Sequence, residues 1–302
     1  MRYKNYSLLD FQKEFQTEQD CYNHLFKLRW GNGFTCPACK NTEYYYIKTR
    51  RLYECKNCGH QVSVTAGTVF HKTKTPLVKW FWMIFMLTHQ KTGQSILSLQ
   101  KMLQINLYRT AWLMAHKIRT CMKDRNAYYK LAGLIETDDS YFGPKRKGKR
   151  GRGAEDKSIV VAGVEINEKG IAGKAFMEIV DGISGDDIKT VAKAHIKRKS
   201  WIHSDGYKSY NILKKEGFTF DSVVVGNPEN AHEYLPKVHM LFSNVKAIIK
   251  AVHKGIREKY LSNYLAEFIY KFNRRCNQDS IFSRFLNVSI LNKSITLTEL
   301  RA

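Results

Sequence analysis

Four cysteines in two closely spaced pairs constrain this sequence more than any other feature. The pairs are Cys36-x-x-Cys39 and Cys55-x-x-Cys58, with fifteen residues between them. Each C-x2-C places two thiolates on one tight turn, and two such turns joined by a hairpin close a tetrahedral zinc site. We therefore predict a structural zinc ion held by these four cysteines, with the strand-like residues between the pairs forming the hairpin. The metal replaces a hydrophobic core that so short a segment cannot build.

The remaining cysteines and the apolar segments indicate the compartment. Cys21, Cys121 and Cys276 belong to no pair, and we expect them to be small buried hydrophobic residues. The longest apolar run, residues 80–87, is too short for a membrane span, which needs about 20 residues. The N-terminus has no export signal. We expect a cytoplasmic protein with no membrane partner.

The charge balance predicts a polyanionic partner. The 302 residues allow about two domains and contain 50 Lys and Arg against 27 Asp and Glu, a net charge of +23. Nucleic acid is the commonest partner of such a chain, and 13% aromatic residues could stack on bases. The alternative is a solvated basic surface. Six cations occupy one glycine-rich loop that we expect to hold DNA phosphates: Lys145, Arg146, Lys147, Lys149, Arg150 and Arg152.

The helical periodicity after Pro76 predicts a DNA-reading motif. A first helix with an apolar stripe is followed by helices over 93–103 and 107–122, which are separated by a short polar interruption. Three helices with a tight second turn are typical of a helix-turn-helix. The last of them carries Arg109 and Lys117, which we expect to contact DNA. An ordinary three-helix bundle has the same pattern.

From residue 133 the pattern changes to strands. Strand, strand, strand, helix, strand is the order of an α/β ribonuclease H-like core, a mixed sheet whose first three strands are antiparallel. This topology puts Asp138 near the end of the central first strand and Asp205 at the end of the neighbouring fourth strand.

Two carboxylates on adjacent strand ends suit hard divalent cations. Mg²⁺ or Mn²⁺ held there would support in-line phosphodiester chemistry without a nucleophilic side chain. As alternatives, Asp138 is a solvated acid at a strand–loop junction, and Asp205 is a turn residue in an Asp-Gly pair.

Several motifs together resemble one known family. They are Ile135-Glu-Thr-Asp138-Asp-Ser-Tyr-Phe-Gly143, His203-Ser-Asp205-Gly-Tyr-x-x-Tyr210, Val238-His239 with Asn244 five residues on, and Tyr264-Leu-x-Glu267-Phe-x-Tyr-x-Phe-Asn-Arg-Arg275. With the paired cysteines they resemble the zinc-ribbon insertion-sequence transposases of the DDE class, the ISXO-like group, over about residues 10 to 275. The resemblance implies a ribonuclease H-like core that nicks transposon ends and joins them to target DNA, with Asp138 and Asp205 as its first two metal ligands.

The third ligand of this family, often Glu, corresponds by the resemblance to Asn244. An amide oxygen can bind a metal but carries no charge, so metal affinity should be lower than with Glu. Three glutamates compete for the role: Glu229, Glu233 and Glu258. The family's active-site lysine corresponds to Lys246 or Lys250, and the sequence does not choose between them; we take Lys246.

The resemblance implies a prokaryotic protein that associates with the nucleoid. We therefore expect a DNA transposase with five segments. They are N-terminal helices over 1–30, a zinc ribbon over 31–72, helix-turn-helix-like helices over 73–125, a transposase core over 130–276 and a tail over 277–302. The expected partners are double-stranded DNA and further copies of the chain, assembled as a homo-oligomer on DNA. The alternatives are a non-catalytic zinc-ribbon DNA-binding protein or inactivated copy, and a nuclease without strand transfer.

Overall fold

The structure is a computed structural model that describes residues 6–143, 157–223 and 234–301. It divides into two compact units, Met1–Cys121 with Cys276–Ala302, and Met122–Arg275. The basic loop from Lys145 to Arg152 lies outside the described residues, as do Glu229 and Glu233.

The first unit opens with two short helices and the ribbon. Helices α1 (Leu8–Glu14) and α2 (Glu18–Arg29) both start with capping boxes, in which a hydroxyl and a carboxylate satisfy the free backbone N–H groups. Strands β1 (Tyr44–Ile47), β2 (Leu52–Cys55) and β3 (Gln61–Val62) then form an antiparallel sheet. The predicted hairpin is present, with a third strand added to it.

The first unit continues with helices from both ends of the chain. Helices α3 (Leu77–His89), α4 (Ile96–Met102) and α5 (Tyr108–Ala127) follow the ribbon in the chain. The first unit includes α5 only as far as Cys121. The segment 277–302, described above as a tail, contains two further helices. These are the later α9 (Ile281–Leu291) and α10 (Leu297–Arg301).

The C-terminal helices complete the core of the first unit. Phe282 of α9 is buried and contacts the rings of Phe11, Phe15 and Phe81. Aromatic burial of this kind contributes more than the surface area alone suggests. Among the unpaired cysteines, Cys21 and Cys121 are buried as expected, whereas the exposed Cys276 contradicts the expectation because it lies in the connection just before α9.

The second unit contains a five-stranded sheet. Its strands are β4 (Leu134–Phe142), β5 (Ser158–Ile166), β6 (Ala172–Val180), β7 (Trp201–Asp205) and β8 (Thr219–Val223), in the order β6-β5-β4-β7-β8. The first three strands are antiparallel, and β7 runs parallel to both β4 and β8. This is the strand order of a ribonuclease H-like sheet.

Helices cover both faces of the sheet. Helix α6 (Gly185–His195) and a 3-10 helix (Lys208–Glu216) pack on one face, which includes Ile135 and Ile202. Helices α7 (Pro236–Ile248) and α8 (Glu258–Phe272) cover the other face, which includes Phe142. Because strand residues alternate between faces, the even-numbered residues of β4 face α7. No helix of the described residues is long and apolar enough to cross a membrane.

Candidate metal centres and active site

The two cysteine pairs bring four sulfur atoms together. The Sγ atoms of Cys36 and Cys58 are 3.7 Å apart, those of Cys39 and Cys55 are 3.4 Å apart, and all four lie within 4.8 Å of one another. A tetrahedral zinc ion with Zn–S bonds of about 2.3 Å requires sulfur separations of about 3.8 Å. The cluster therefore fits a structural zinc ion.

Local backbone geometry explains why the two turns resemble each other. The N–H of Lys40 donates to the carbonyl of Cys36 at 3.0 Å, and the N–H of Gly59 donates to the carbonyl of Cys55 at 2.9 Å. Both donor residues have a positive φ, 65° and 67°, which favours glycine at one position and is tolerated by Lys40 at the other. Backbone N–H groups that point at Cys36 lower the pKa of its thiol, as metal binding requires.

The register of the parallel strands places Asp138 beside Asp205. The last paired residues of β4 and β7 are Thr137 and Ser204, so the two aspartates are the next pair in line. Parallel neighbours in register point to the same face, about 4.8 Å apart. Ile202 faces α6, so Asp205 faces α7, as Asp138 does. Asp138 lies in the middle of β4 and not near its end as expected, because the pairing of β4 with β5 continues to Phe142.

The surroundings of the two acids differ. Asp138 is only 9% exposed, and its Oδ2 lies 3.7 Å from Nε2 of His239 at the start of α7. Asp205 is half-buried, and its Oδ1 accepts a hydrogen bond from the N–H of Tyr207 at 3.2 Å.

Glu136 fixes the start of α7 against the central strand. Its Oε2 accepts hydrogen bonds from the backbone N–H groups of Lys237 and Val238, at 2.6 and 2.9 Å. A carboxylate at a helix N-terminus satisfies free donors and interacts favourably with the helix dipole. Glu136 is 4% exposed, and burial raises its pKa although the two hydrogen bonds and the charges of Lys237 and His203 oppose the rise.

Lys246 meets the same strand two turns further along α7. Its Nζ donates to Oγ of Ser140 at 2.6 Å and lies 5.2 Å and 5.9 Å from the ring centroids of Phe142 and Phe242. Desolvation lowers the pKa of this lysine, and the negative charge of Asp138 partly opposes the effect. Lys250 is exposed in the π-helix Ile249–His253 that follows α7, so Lys246 is the lysine beside β4.

Asn244 lies on a different side of α7 from His239, the helix residue that is close to Asp138. It is exposed, and at 3.6 residues per turn it lies about 140° around the helix axis from His239, whereas Lys246 lies only about 20° away. Its role as third ligand stays a prediction. Glu258 accepts a hydrogen bond from Oγ of Ser158 at 3.1 Å. Ser158 pairs with the last residue of β4, about 13 Å along the strand from Asp138.

The two residues predicted to contact DNA from a helix-turn-helix, Arg109 and Lys117, differ in accessibility. Arg109 is exposed in the first turn of α5, where a recognition helix contacts base edges. Lys117 is half-buried and donates to Oγ of Ser294 at 2.6 Å, and burial lowers its pKa. His116 and Arg119 on the same helix are fully buried, so they belong to the core of the first unit.

The sequence predicted no role for Glu136 or Ser140, and it showed His239 only as part of the motif that contains Asn244. The signal was present in β4, because Glu136, Asp138 and Ser140 alternate at spacing two and must share one face. Their partners on α7 lie about a hundred residues away in the chain, and no local pattern identifies them.

Comparisons with known proteins agree with these features. Residues 130–273 match the family described as ISXO2-like transposase domain, and residues 16–61 match the transposase zinc-ribbon domain. A protein of Halobacterium salinarum, described as an uncharacterized protein in transposable element ISH50, is 25% identical over 236 residues. The match covers 72% of this chain and 77% of that protein.

Two solved structures of the Mos1 transposase are also similar, at 9% identity each. The pre-cleavage Mos1 transpososome covers 68% of this chain and 76% of its own, with a TM-score of 0.26. The Mos1 paired-end complex with the left transposon end covers 71% and 80%, with a TM-score of 0.27. Likeness at these TM-scores supports no further inference.

Proposed function

We propose, from the chain's membership of the family of zinc-ribbon ISXO2-like transposases, that it binds the terminal inverted repeats of an insertion sequence. We also propose that it catalyses metal-dependent DNA cleavage and strand transfer at Asp138 and Asp205. The observation that carries the proposal is the register of β4 and β7, which puts two carboxylates side by side on one face of the sheet. A structural role does not require such a pair, because like charges repel.

The donor set supports Mg²⁺ or Mn²⁺ as the catalytic cofactor. Carboxylate oxygens are the preferred ligands of these hard cations, and Asp138 and Asp205 would hold them, with the carbonyl oxygen of Asn244 as the proposed uncharged third ligand. When bound, such ions activate the attacking hydroxyl and stabilise the leaving oxygen of an in-line displacement.

The chain's own residues position this site. Glu136 holds the start of α7 against β4 through two backbone N–H groups, so His239 stays beside Asp138. Lys246, whose ammonium lies over two aromatic rings next to Ser140, is a cation available for a DNA phosphate near the acids.

We assign DNA recognition to the first unit. The exposed Arg109 lies in the first turn of α5, the last helix of the proposed helix-turn-helix. The basic loop from Lys145 to Arg152 would hold phosphates without reading sequence. We further propose that the protein acts as a homo-oligomer on DNA, since transposition joins two transposon ends.

A strand-transfer assay with pre-cut terminal-repeat DNA tests the proposal. Asp138→Ala and Asp205→Ala should each lower cleavage and joining by at least about 100-fold, because each removes a metal ligand. Both variants should keep the DNA affinity of the wild type. Asp221→Ala, which removes an exposed carboxylate on the neighbouring strand β8, is the matched control and should stay active.

Three results would contradict the proposal. Wild-type protein that joins no DNA with either metal would indicate a non-catalytic DNA-binding protein. Cleavage without joined product would indicate a nuclease. Full activity of Asp138→Ala would show that the chemistry lies elsewhere.

A further inference from the structure

Three cations surround one tyrosine ring in the second unit, and the proposed chemistry does not use them. The guanidinium carbon of Arg125 lies 5.1 Å from the ring centroid of Tyr129, Nζ of Lys174 lies 4.9 Å from it, and the guanidinium carbon of Arg274 lies 5.6 Å from it. The three cations come from different elements, namely the end of α5, the edge strand β6 and the chain after α8. The three cations are therefore brought together by the fold, and not by a run of charged residues in the sequence.

Aromatic stacking holds these cations in place. Arg274 is 8% exposed, lies 3.6 Å from the ring centroid of Tyr270 and donates to the carbonyl of the same residue at 3.0 Å. Arg125 is half-buried and also lies over the ring of Tyr128, which is 78% exposed. Lys174 is exposed. Cation–π contacts of this kind fix the direction of a charge without neutralising it.

None of the three cations is paired with a carboxylate through its side chain in the described parts of the chain. Among the ion pairs formed by those residues, none involves Arg125, Lys174 or Arg274. The carboxylate of Glu165 accepts a hydrogen bond from the backbone N–H of Lys174 at 3.1 Å, not from its ammonium group. Charges that share one ring at these distances lie no farther than about 11 Å apart, and they repel one another. An anion that spans them would remove the repulsion and gain from all three.

The cluster is separate from the two acids. Lys174 precedes Ala175, which is in register with Val164 of β5 and, through it, with Glu136 of β4. Strand β6 therefore lies two strands from β4, about 10 Å across the sheet. Substitution of the exposed cations leaves the metal-binding face of β4 and β7 intact.

We propose that Arg125, Lys174 and Arg274 form a phosphate-binding surface for duplex DNA, which adds to the ribbon and the helix-turn-helix. The inference rests on the proposed function, in which the chain binds DNA. A duplex fits better than a single phosphate, because closely spaced phosphates along its backbone can meet cations that are several ångströms apart. The surface contacts no bases, so it contributes equally to terminal-repeat and random DNA.

The test is the salt dependence of binding to a random duplex by the full-length protein. The double variant Arg125→Gln with Lys174→Gln removes the two accessible cations and leaves the buried Arg274 in place. Each lost phosphate contact lowers the slope of log K against log salt by about 0.9, so the slope should fall by about 1.8. Affinity should fall at least about tenfold for random and terminal-repeat duplexes alike.

Matched variants separate this surface from a general loss of charge. Lys214→Gln with Lys215→Gln removes two exposed cations from the 3-10 helix and should leave the slope unchanged. Arg125→Lys with Lys174→Arg keeps both charges and should restore the wild-type slope. An unchanged slope in the double glutamine variant, with wild-type DNA binding intact, would overturn this inference alone. A wild-type protein that does not bind DNA would overturn the proposed function itself.

Discussion

Replacement of Glu136 tests whether one buried carboxylate holds α7 against the central strand. Both hydrogen bonds from the start of α7, those of Lys237 and Val238, end on the same oxygen atom, Oε2. Glu136→Ala leaves both donors without this acceptor, whereas the amide oxygen of Glu136→Gln can accept both. The two variants therefore separate the hydrogen bonds from the charge.

The structure sets the expected magnitude. The N–H of Val238 is buried and costs about 1–3 kcal/mol when it is left without a partner, while the N–H of Lys237 is partly accessible to water and costs less. We expect Glu136→Ala to lower the free energy of unfolding by about 2 kcal/mol, a fall in Tm of about 4–8 °C for a unit of this size. Glu136→Gln should stay within about 1 kcal/mol of wild type.

The pH dependence follows from the raised pKa of Glu136. Because the folded state binds this proton more tightly than the unfolded state, ionisation of Glu136 costs stability as the pH rises through the raised pKa. Glutamine does not ionise, so Glu136→Gln should gain stability relative to wild type as the pH rises above the ordinary pKa of glutamate, about 4.3.

Urea unfolding at a series of pH values, followed by strand-transfer assays, measures both effects. Glu136→Ala should also lose strand transfer, since His239 and Lys246 depend on the position of α7, while Glu136→Gln should retain it. Equal stability of the two variants at every pH would refute the reasoning.

Four further predictions concern the metals and helix α5. Cys55→Ser should lose zinc and partly unfold the ribbon, because zinc binding and folding are coupled there, whereas Cys276→Ser should keep one zinc per chain by metal analysis. Asn244→Ala should require more Mg²⁺ for half-maximal strand transfer than wild type, and an unchanged requirement would show that the third ligand lies elsewhere. Arg109→Gln should weaken binding to terminal-repeat DNA more than to random DNA, by about 1–3 kcal/mol. Lys117→Gln should leave that preference intact and instead lower the melting temperature, because Lys117 is half-buried and bonded to Ser294.

Local patterns in the sequence predicted the elements well. The C-x2-C spacing predicted that these four sulfur atoms lie together, because a tight turn brings two thiolates close to each other whatever surrounds it. The strand-like pattern after residue 133 predicted the order strand, strand, strand, helix, strand, and β4, β5, β6, α6 and β7 follow that order. Asp138 was expected near the end of β4, but the strand extends to Phe142 because of its pairing with β5.

Contacts between distant parts of the chain were decided only by the tertiary structure. The sequence predicted that Asp138 and Asp205 each lie on a strand, but the parallel register of β4 and β7 makes them neighbours. It could not choose between two lysines, and the packing of α7 on β4 placed Lys246 beside Ser140. It also could not show that Lys117 is half-buried, because that depends on a segment 177 residues away. The physical reason is the same in each case: spacing along the chain specifies turns, caps and strand faces, whereas strand register and helix packing depend on burial of surfaces that meet only in the folded protein.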